Sequence, residues 1–241
     1  MRVRRDQLVL GAVAAALLVA IVAFAATSGV KTEPGRPTPT ATPGSERPLF
    51  GGSLEPRVRY RTRAFVPPLS FVVGDTEWLV EDATEPDRLV LERRNRTARP
   101  GSELPPRSSL SFSVLTELVD PQSGEHVQVD AADLRGWLAR HPDLEVGPPQ
   151  RVTVAGRAAE SFHVAVRFRR PARSAAACQA LLMVCTLIAP ERFYRDGTQM
   201  RTIVLLATAP PLVIDLVSQT QRDLEKLEAP AADVLQTLRI G

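Results

Sequence analysis

Nineteen consecutive residues without a charged or polar side chain, Leu8–Ala26, follow an N-terminus that carries Arg2, Arg4 and Arg5. As a helix such a run is about 28 Å long, close to the roughly 30 Å of hydrocarbon in a bilayer. Arginine in front and little positive charge just behind place residues 1–7 in the cytoplasm and the body outside. The segment 8–26 therefore reads as a single-pass transmembrane helix. A cleavable signal peptide with Ala23-Phe24-Ala25 as its small-x-small site is the competing reading, although nineteen residues exceed the usual apolar region of roughly 7–15. No cysteine stands near the end of the run to take a lipid. On either reading the chain is exported, with its C-terminal part extracellular.

Charge narrows the partners. Taking Arg2, Arg4, Arg5 and Lys31 from the 30 basic residues, and Asp6 from the 27 acidic ones, leaves 26 of each for residues 32–241. A neutral body gives no electrostatic footprint for nucleic acid. With 24% charged and 44% apolar residues, a wholly disordered, collagen-like or multi-span chain is also excluded. Arginine outnumbers lysine 28 to 2, a bias typical of a high-GC bacterial genome.

Residues 27–56 read as a disordered linker. Prolines 34, 37, 39, 43 and 48 are interleaved with Thr, Gly and Ser without an apolar period. Such a stretch favours extended conformations of about 3 Å per residue, which sets the domain tens of ångströms from the membrane. Residues 57–241 contain no second Pro-rich linker and no repeat, which predicts one extracytoplasmic domain with its own core.

Within it, Tyr60–Phe65, Leu69–Val73, Trp78–Glu81, Leu89–Glu92 and Leu110–Leu115 read as strands, and 93–108 as a mobile polar loop. Asp130–Arg140 predicts a helix: Asp130 suits the N-cap, Leu134, Trp137 and Leu138 share a face, and His141-Pro142 ends it. Arg151–Val154 and Ala158–Phe168 predict a strand pair around Ala155-Gly156-Arg157. Arg201–Ala207 and Leu212–Val217 predict another, apolar enough to be covered on both faces. Gln219–Leu227 and Pro230–Leu238 predict two closing helical segments, with Pro230 at a first helical position. Helices packed on an antiparallel sheet define an α+β fold.

Catalytic and metal motifs are missing from the sequence. There is no G-x-S-x-G, H-E-x-x-H, G-x-G-x-x-G, P-loop or EF-hand pattern, and Ser28-Gly29-Val30-Lys31 matches S-x-x-K only in the linker. His126, His141 and His163 are not at metal-ligand spacing with one another or with a cysteine. These observations assign no catalytic, cofactor or metal residue.

Cys178 and Cys185 are expected to form a disulfide, because two nearby cysteines outside the cytoplasm are usually bonded and their spacing does not fit C-x-x-C. On one straight helix their Cα atoms lie about 10 Å apart, beyond the roughly 7 Å a disulfide spans, so the bond requires the segment to fold back. It would stabilise the domain by ~2.5 kcal/mol. Leu181, Leu182, Met183 and Val184 lie between the two cysteines, as a lip for a ligand or partner or as a plug for the core. Arg57, Arg59, Arg61 and Arg63 alternate, so an extended chain sets all four on one face, for contact with an anionic lipid or wall polymer or as a solvated strand face. Asp215 shares a face with Val213 and Val217 and needs a partner if buried, as a structural pair or as a catalytic carboxylate.

Residues 64–81 resemble the opening of actinobacterial exported proteins with a PsbP-like α/β/α sandwich. Asp133–Leu144 followed by Val152–Gly156 is similar to their mid-chain helix and hairpin, and Ala232–Ile240 to their closing helix and last short strand. The resemblance implies a non-enzymatic binding or accessory module of the PsbP-like or LpqN type, with no catalytic residue to carry over. The 178–185 segment and the 93–108 loop depart from the simplest form of that pattern. The expected function is thus a membrane-anchored extracytoplasmic binding or accessory module, without a cofactor, for an amphiphilic small molecule or a protein. An envelope-acting hydrolase with an unmarked active site and a structural subunit of a membrane complex are the alternatives.

Overall fold

The computed structural model describes residues 46–80, 83–94, 108–128, 130–168, 185–189, 192–206, 208 and 210–241. Residues 8–26, read as an anchor, most of the 93–108 segment, Cys178 and Leu181–Val184 lie outside the described residues. Among those described, no helix is long and apolar enough to cross a membrane.

In chain order the strands are β1 (Arg47–Pro48), β2 (Gly52–Ser53), β3 (Arg59–Arg61), β4 (Leu69–Val72), β5 (Trp78–Val80), β6 (Arg88–Arg93), β7 (Ser108–Val114), β8 (Glu117–Val119) and β9 (His126–Gln128). Helix α1 (Ala131–Arg140) precedes β10 (Leu144–Val146), β11 (Gln150–Val154), β12 (Arg157–Val166), β13 (Cys185–Ala189), β14 (Arg192–Arg195), β15 (Gln199–Leu205) and β16 (Leu212–Ser218). Helix α2 (Gln221–Thr237) and β17 (Arg239–Ile240) close the chain.

Nine strands form the main sheet in the order β10-β12-β15-β16-β7-β6-β5-β2, with β11 also on β12. Every pairing in it is antiparallel. A smaller sheet has the order β1-β3-β4-β17, and β8–β9 and β13–β14 form separate hairpins. The α+β class expected from the sequence is what the chain adopts.

Alternation along the strands creates two cores. Leu212, Ile214 and Leu216 of β16 point with Ile203, Leu205, Leu110 and Phe112 towards Leu224, Leu227, Ala231 and Val234 of α2. The small sheet adds Leu69 and Phe71 to this core, and Phe71 stacks on Phe112 with ring centroids 6.3 Å apart. On the other face, Val213, Met200, Val204, Phe162 and Val164 meet Leu134, Trp137 and Leu138 of α1. Full burial of one such side chain is worth roughly 1.5–3 kcal/mol. The near-continuous apolar runs of β15 and β16 follow from this cover on both faces.

Several local expectations are corrected. Residues 46–56, read as the end of the linker, belong to the domain: Leu49 and Leu54 are buried in the larger core, and their amides donate to Arg61 O and Trp78 O. The domain therefore begins by Glu46, not at residue 57. The two closing helical segments are one helix that continues through Pro230. Pro230 belongs to the buried stripe with Leu227, Ala231 and Val234, and packing of that stripe outweighs the one backbone hydrogen bond a proline removes. Asp130 occupies the N-cap of α1, but its side chain makes no capping bond. The strand expected over Tyr60–Phe65 stops at Arg61.

The β11–β12 connection is a two-residue loop, Ala155-Gly156, with φ of 52° and 73°. Two positive φ values define a type I′ turn, which matches the twist of a hairpin and which glycine adopts without strain.

Candidate functional site

Pairing of β15 with β16 sets Thr202 directly opposite Asp215, so both side chains project from the α1-covered face. The same face carries Met200, Val164 and Val213. Hairpin β13–β14 brings Ile188, Ala189, Arg192 and Tyr194 over it, while Leu134 and Leu138 of α1 and Leu118 of β8 approach from the other side. Between them lies a cavity of about 30 Å³ with leucine, valine and methionine walls, a floor of Asp215 and Thr202 on the sheet, and Arg192 and Tyr194 entering from the hairpin. A space of this size holds a water-sized group.

The floor is tightly coupled. Thr202 Oγ1 donates to Asp215 Oδ1 at 2.7 Å, and Arg192 Nη1 stands 3.6 Å from Asp215 Oδ2. The side chains of Arg192 and Asp215 are only 13% and 7% exposed, so this is a buried ion pair. Burial pushes the Asp215 carboxyl above its ordinary pKa, against the pull of the Arg192 charge and the Thr202 hydroxyl. The Tyr194 phenol is pushed up to about 12, first by burial and then by the Asp215 charge, with Arg192 and Arg88 acting in the opposite direction.

Ser113 pairs with Val213 in register and so faces the same side, and its buried Oγ has no hydrogen-bond partner among the described residues. A buried hydroxyl without a partner costs roughly 1–3 kcal/mol. The arrangement sets a carboxyl, a guanidinium, a phenol and hydroxyls among apolar walls, in a space that takes a water-sized group and not a hydrocarbon chain.

Asp215 is the sequence-selected residue that this site contains, and it is paired as a structural acid requires. Thr202, Arg192 and Tyr194 were not singled out in the sequence. Cys185 begins β13, so the segment read as a lip leads into the hairpin that roofs the cavity. Arg57, Arg59, Arg61 and Arg63 lie elsewhere, on and beside β3 of the small sheet. The histidines are dispersed. His126 Nδ1 pairs with Glu117 Oε2 at 2.9 Å on the exposed β8–β9 hairpin. His141 is buried at the C-terminus of α1. His163 is opposite Arg201 in register, on the sheet face away from Asp215, and is half-buried rather than on an open polar face. Among the described residues no three His, Cys, Asp or Glu side chains gather as they would around a metal ion.

Compared with known proteins, the chain matches no family model, no curated protein and no solved structure.

Proposed function

We propose that the chain is a single-pass membrane protein whose extracytoplasmic domain binds a small amphiphile or a partner and does not transform it. In this reading residues 8–26 anchor the chain with residues 1–7 in the cytoplasm, and the domain beyond them is extracellular. The observation that supports a binding over a catalytic reading is the make-up of the buried Asp215, Thr202, Arg192 and Tyr194 cluster; its cavity of about 30 Å³ takes a water-sized group, so a partner or the bulk of a ligand would sit outside it. Its shifted carboxyl faces a threonine, an arginine and a tyrosine rather than a histidine, a composition that orients a ligand more readily than it moves protons. A PsbP-like α/β/α sandwich is the finer fold we assign; α1 on one face of an antiparallel sheet and α2 on the other support it.

Native mass spectrometry of the full-length chain released from membranes, followed by organic extraction, tests this reading. A reproducible amphiphile that is lost in Arg192→Ala supports it. A clean apo mass across detergents, with no ligand in the extract, counts against a small-molecule site. Turnover of envelope material that disappears in Asp215→Asn would restore the hydrolase alternative.

A further inference from the structure

The small sheet concentrates positive charge on one side. Val58, Tyr60 and Thr62 are buried, while Arg57, Arg61 and Arg63 are exposed; Arg59 is half-buried and donates from Nη1 to Thr237 O at 3.0 Å. β3 pairs Arg61 with Ser70, and β17 pairs Ser70 with Arg239, so Arg61 and Arg239 stand in one row across three strands. Arg59, two residues along β3, shares their face. Burial first, and the charge of Arg239 second, push the Arg59 guanidinium below its ordinary pKa, with Glu46 offsetting them. Like charges gathered on one sheet face repel, and an anionic surface laid against them relieves that repulsion.

Beside this row the edge of the sheet forms an open groove of about 520 Å³, where Arg47, Arg61 and Arg63 gather with Glu46 between Pro48 and Pro68. Among the described residues Arg59, Arg61 and Arg239 share this face and Arg63 follows β3, in a body that is neutral overall; Arg47 is in register with Tyr60 and is paired with Glu55 at 2.7 Å. Two large apolar side chains flank the groove in the chain: Phe50 is 59% and Val66 64% exposed. The Arg63 guanidinium lies over the Phe50 ring, 5.7 Å from its centroid. Glu46, which lines the groove, follows residues 1–45 and their nineteen-residue apolar run in the sequence.

We propose that this arginine face docks on an anionic phospholipid leaflet, with guanidinium groups on lipid phosphates and Phe50 and Val66 entering the interfacial layer. Guanidinium groups match phosphate oxygens in pairs, and aromatic or aliphatic side chains beside them add apolar burial at the headgroup boundary. The proposal rests on the reading that residues 8–26 anchor the chain, because a tether holds the domain at high effective concentration over the membrane. Each arginine near an anionic surface favours the docked state about fivefold.

The test uses the full-length chain in liposomes of phosphatidylcholine alone or with about 30% phosphatidylglycerol. Hydroxyl-radical oxidation of Phe50 is read by mass spectrometry. Docking predicts that the anionic lipid lowers Phe50 oxidation by about fivefold or more, and that ~0.5 M salt or the double variant Arg61→Glu, Arg63→Glu restores it. Unchanged hydrogen exchange in β15 and β16 shows that the variant is folded. Equal oxidation of Phe50 in both liposomes overturns the proposal. Flotation with phosphatidylcholine liposomes through an alkaline wash reports the anchor separately. If the chain does not float, the anchor reading fails, and docking is then read from liposomes added from outside: flotation that depends on phosphatidylglycerol supports it, and none overturns it.

Discussion

On the face covered by α2, β16 contributes Leu212, Ile214 and Leu216 to a core of aromatic and aliphatic side chains. On the opposite face the same strand contributes Val213, Asp215 and Val217, and there the packing is interrupted by a cavity and a buried ion pair. One strand thus serves a face built for cohesion and a face that gives up cohesion to hold polar groups. Buried polar groups with few partners are where a fold spends stability on something other than folding.

The largest expected break in this comparison comes from Phe112→Ala, which empties a fully buried position against Phe71. It should cost about 3–5 kcal/mol in urea unfolding of the full chain. A loss below about 1 kcal/mol would mean that the α2-covered face is not the cohesive one.

Next in size is Asp215→Ala, which leaves the Arg192 guanidinium buried without its counter-ion, a change worth about 3 kcal/mol. Adding Arg192→Met should recover most of that loss, since two apolar side chains need no pairing. A double variant as unstable as the single one would show that the cost came from lost packing. Thr202→Val should cost about 1–2 kcal/mol, because Asp215 then loses the 2.7 Å hydrogen bond.

The response to pH separates the two kinds of buried group. The Asp143 amide donates to His141 Nδ1 at 3.2 Å, and burial holds the His141 pKa below its ordinary value despite nearby Asp143 and Asp120. The unfolded chain therefore takes up this proton first. Stability from neutral His141 is complete above about pH 6.5 and is lost as pH falls through its lower folded pKa. His163 acts in the same direction, by burial and then by Arg201. Asp215 acts in reverse: its folded pKa is raised, so the cost of its carboxylate is relieved as pH falls towards ~3.9. Urea midpoints measured across this range should fall less steeply below pH ~6.5 in His141→Gln than in the parent chain. An identical slope would remove His141 from the account.

The smallest effect is expected at the β11–β12 turn. Ala155→Asn should stabilise by about 0.5–1 kcal/mol, because asparagine tolerates the positive φ that alanine adopts there. Ala155 is only partly buried, at the margin of the α2-covered core, so the change sets the scale for a substitution outside both interiors.

Legibility in the sequence followed the range of the physics. Period-2 alternation in Phe162, Val164 and Val166, and the unbroken apolar runs of β15 and β16, announced the central strands because burial alone dictates them. Pro230 misled because the local rule against proline in a helix carries no information about the sheet it packs on. Glu46–Pro56 misled because Pro, Gly and Ser composition hid two anchoring leucines, Leu49 and Leu54. At the site, Asp215 was visible as a charge on an apolar face. Thr202 becomes visible only by counting back across the Thr208–Pro211 connection to find the residue opposite Asp215. Arg192 and Tyr194 carry no such signal, since a separate hairpin delivers them from outside the sheet.

The stitching of residues 46–54 also has a mechanical side. β1 joins the small sheet through two residue pairs with β3, β2 joins the large sheet through two with β5, and Leu49 sits between them. If the chain is anchored as proposed, a pull from its N-terminal side would meet these two short ladders in series before it reaches β16 and β7. Release of the eight residues Glu46–Ser53 yields roughly 28 Å of slack. Under the membrane anchoring proposed above, β1 and β2 would act as a breakaway link that absorbs a pull while the sheet beneath stays closed.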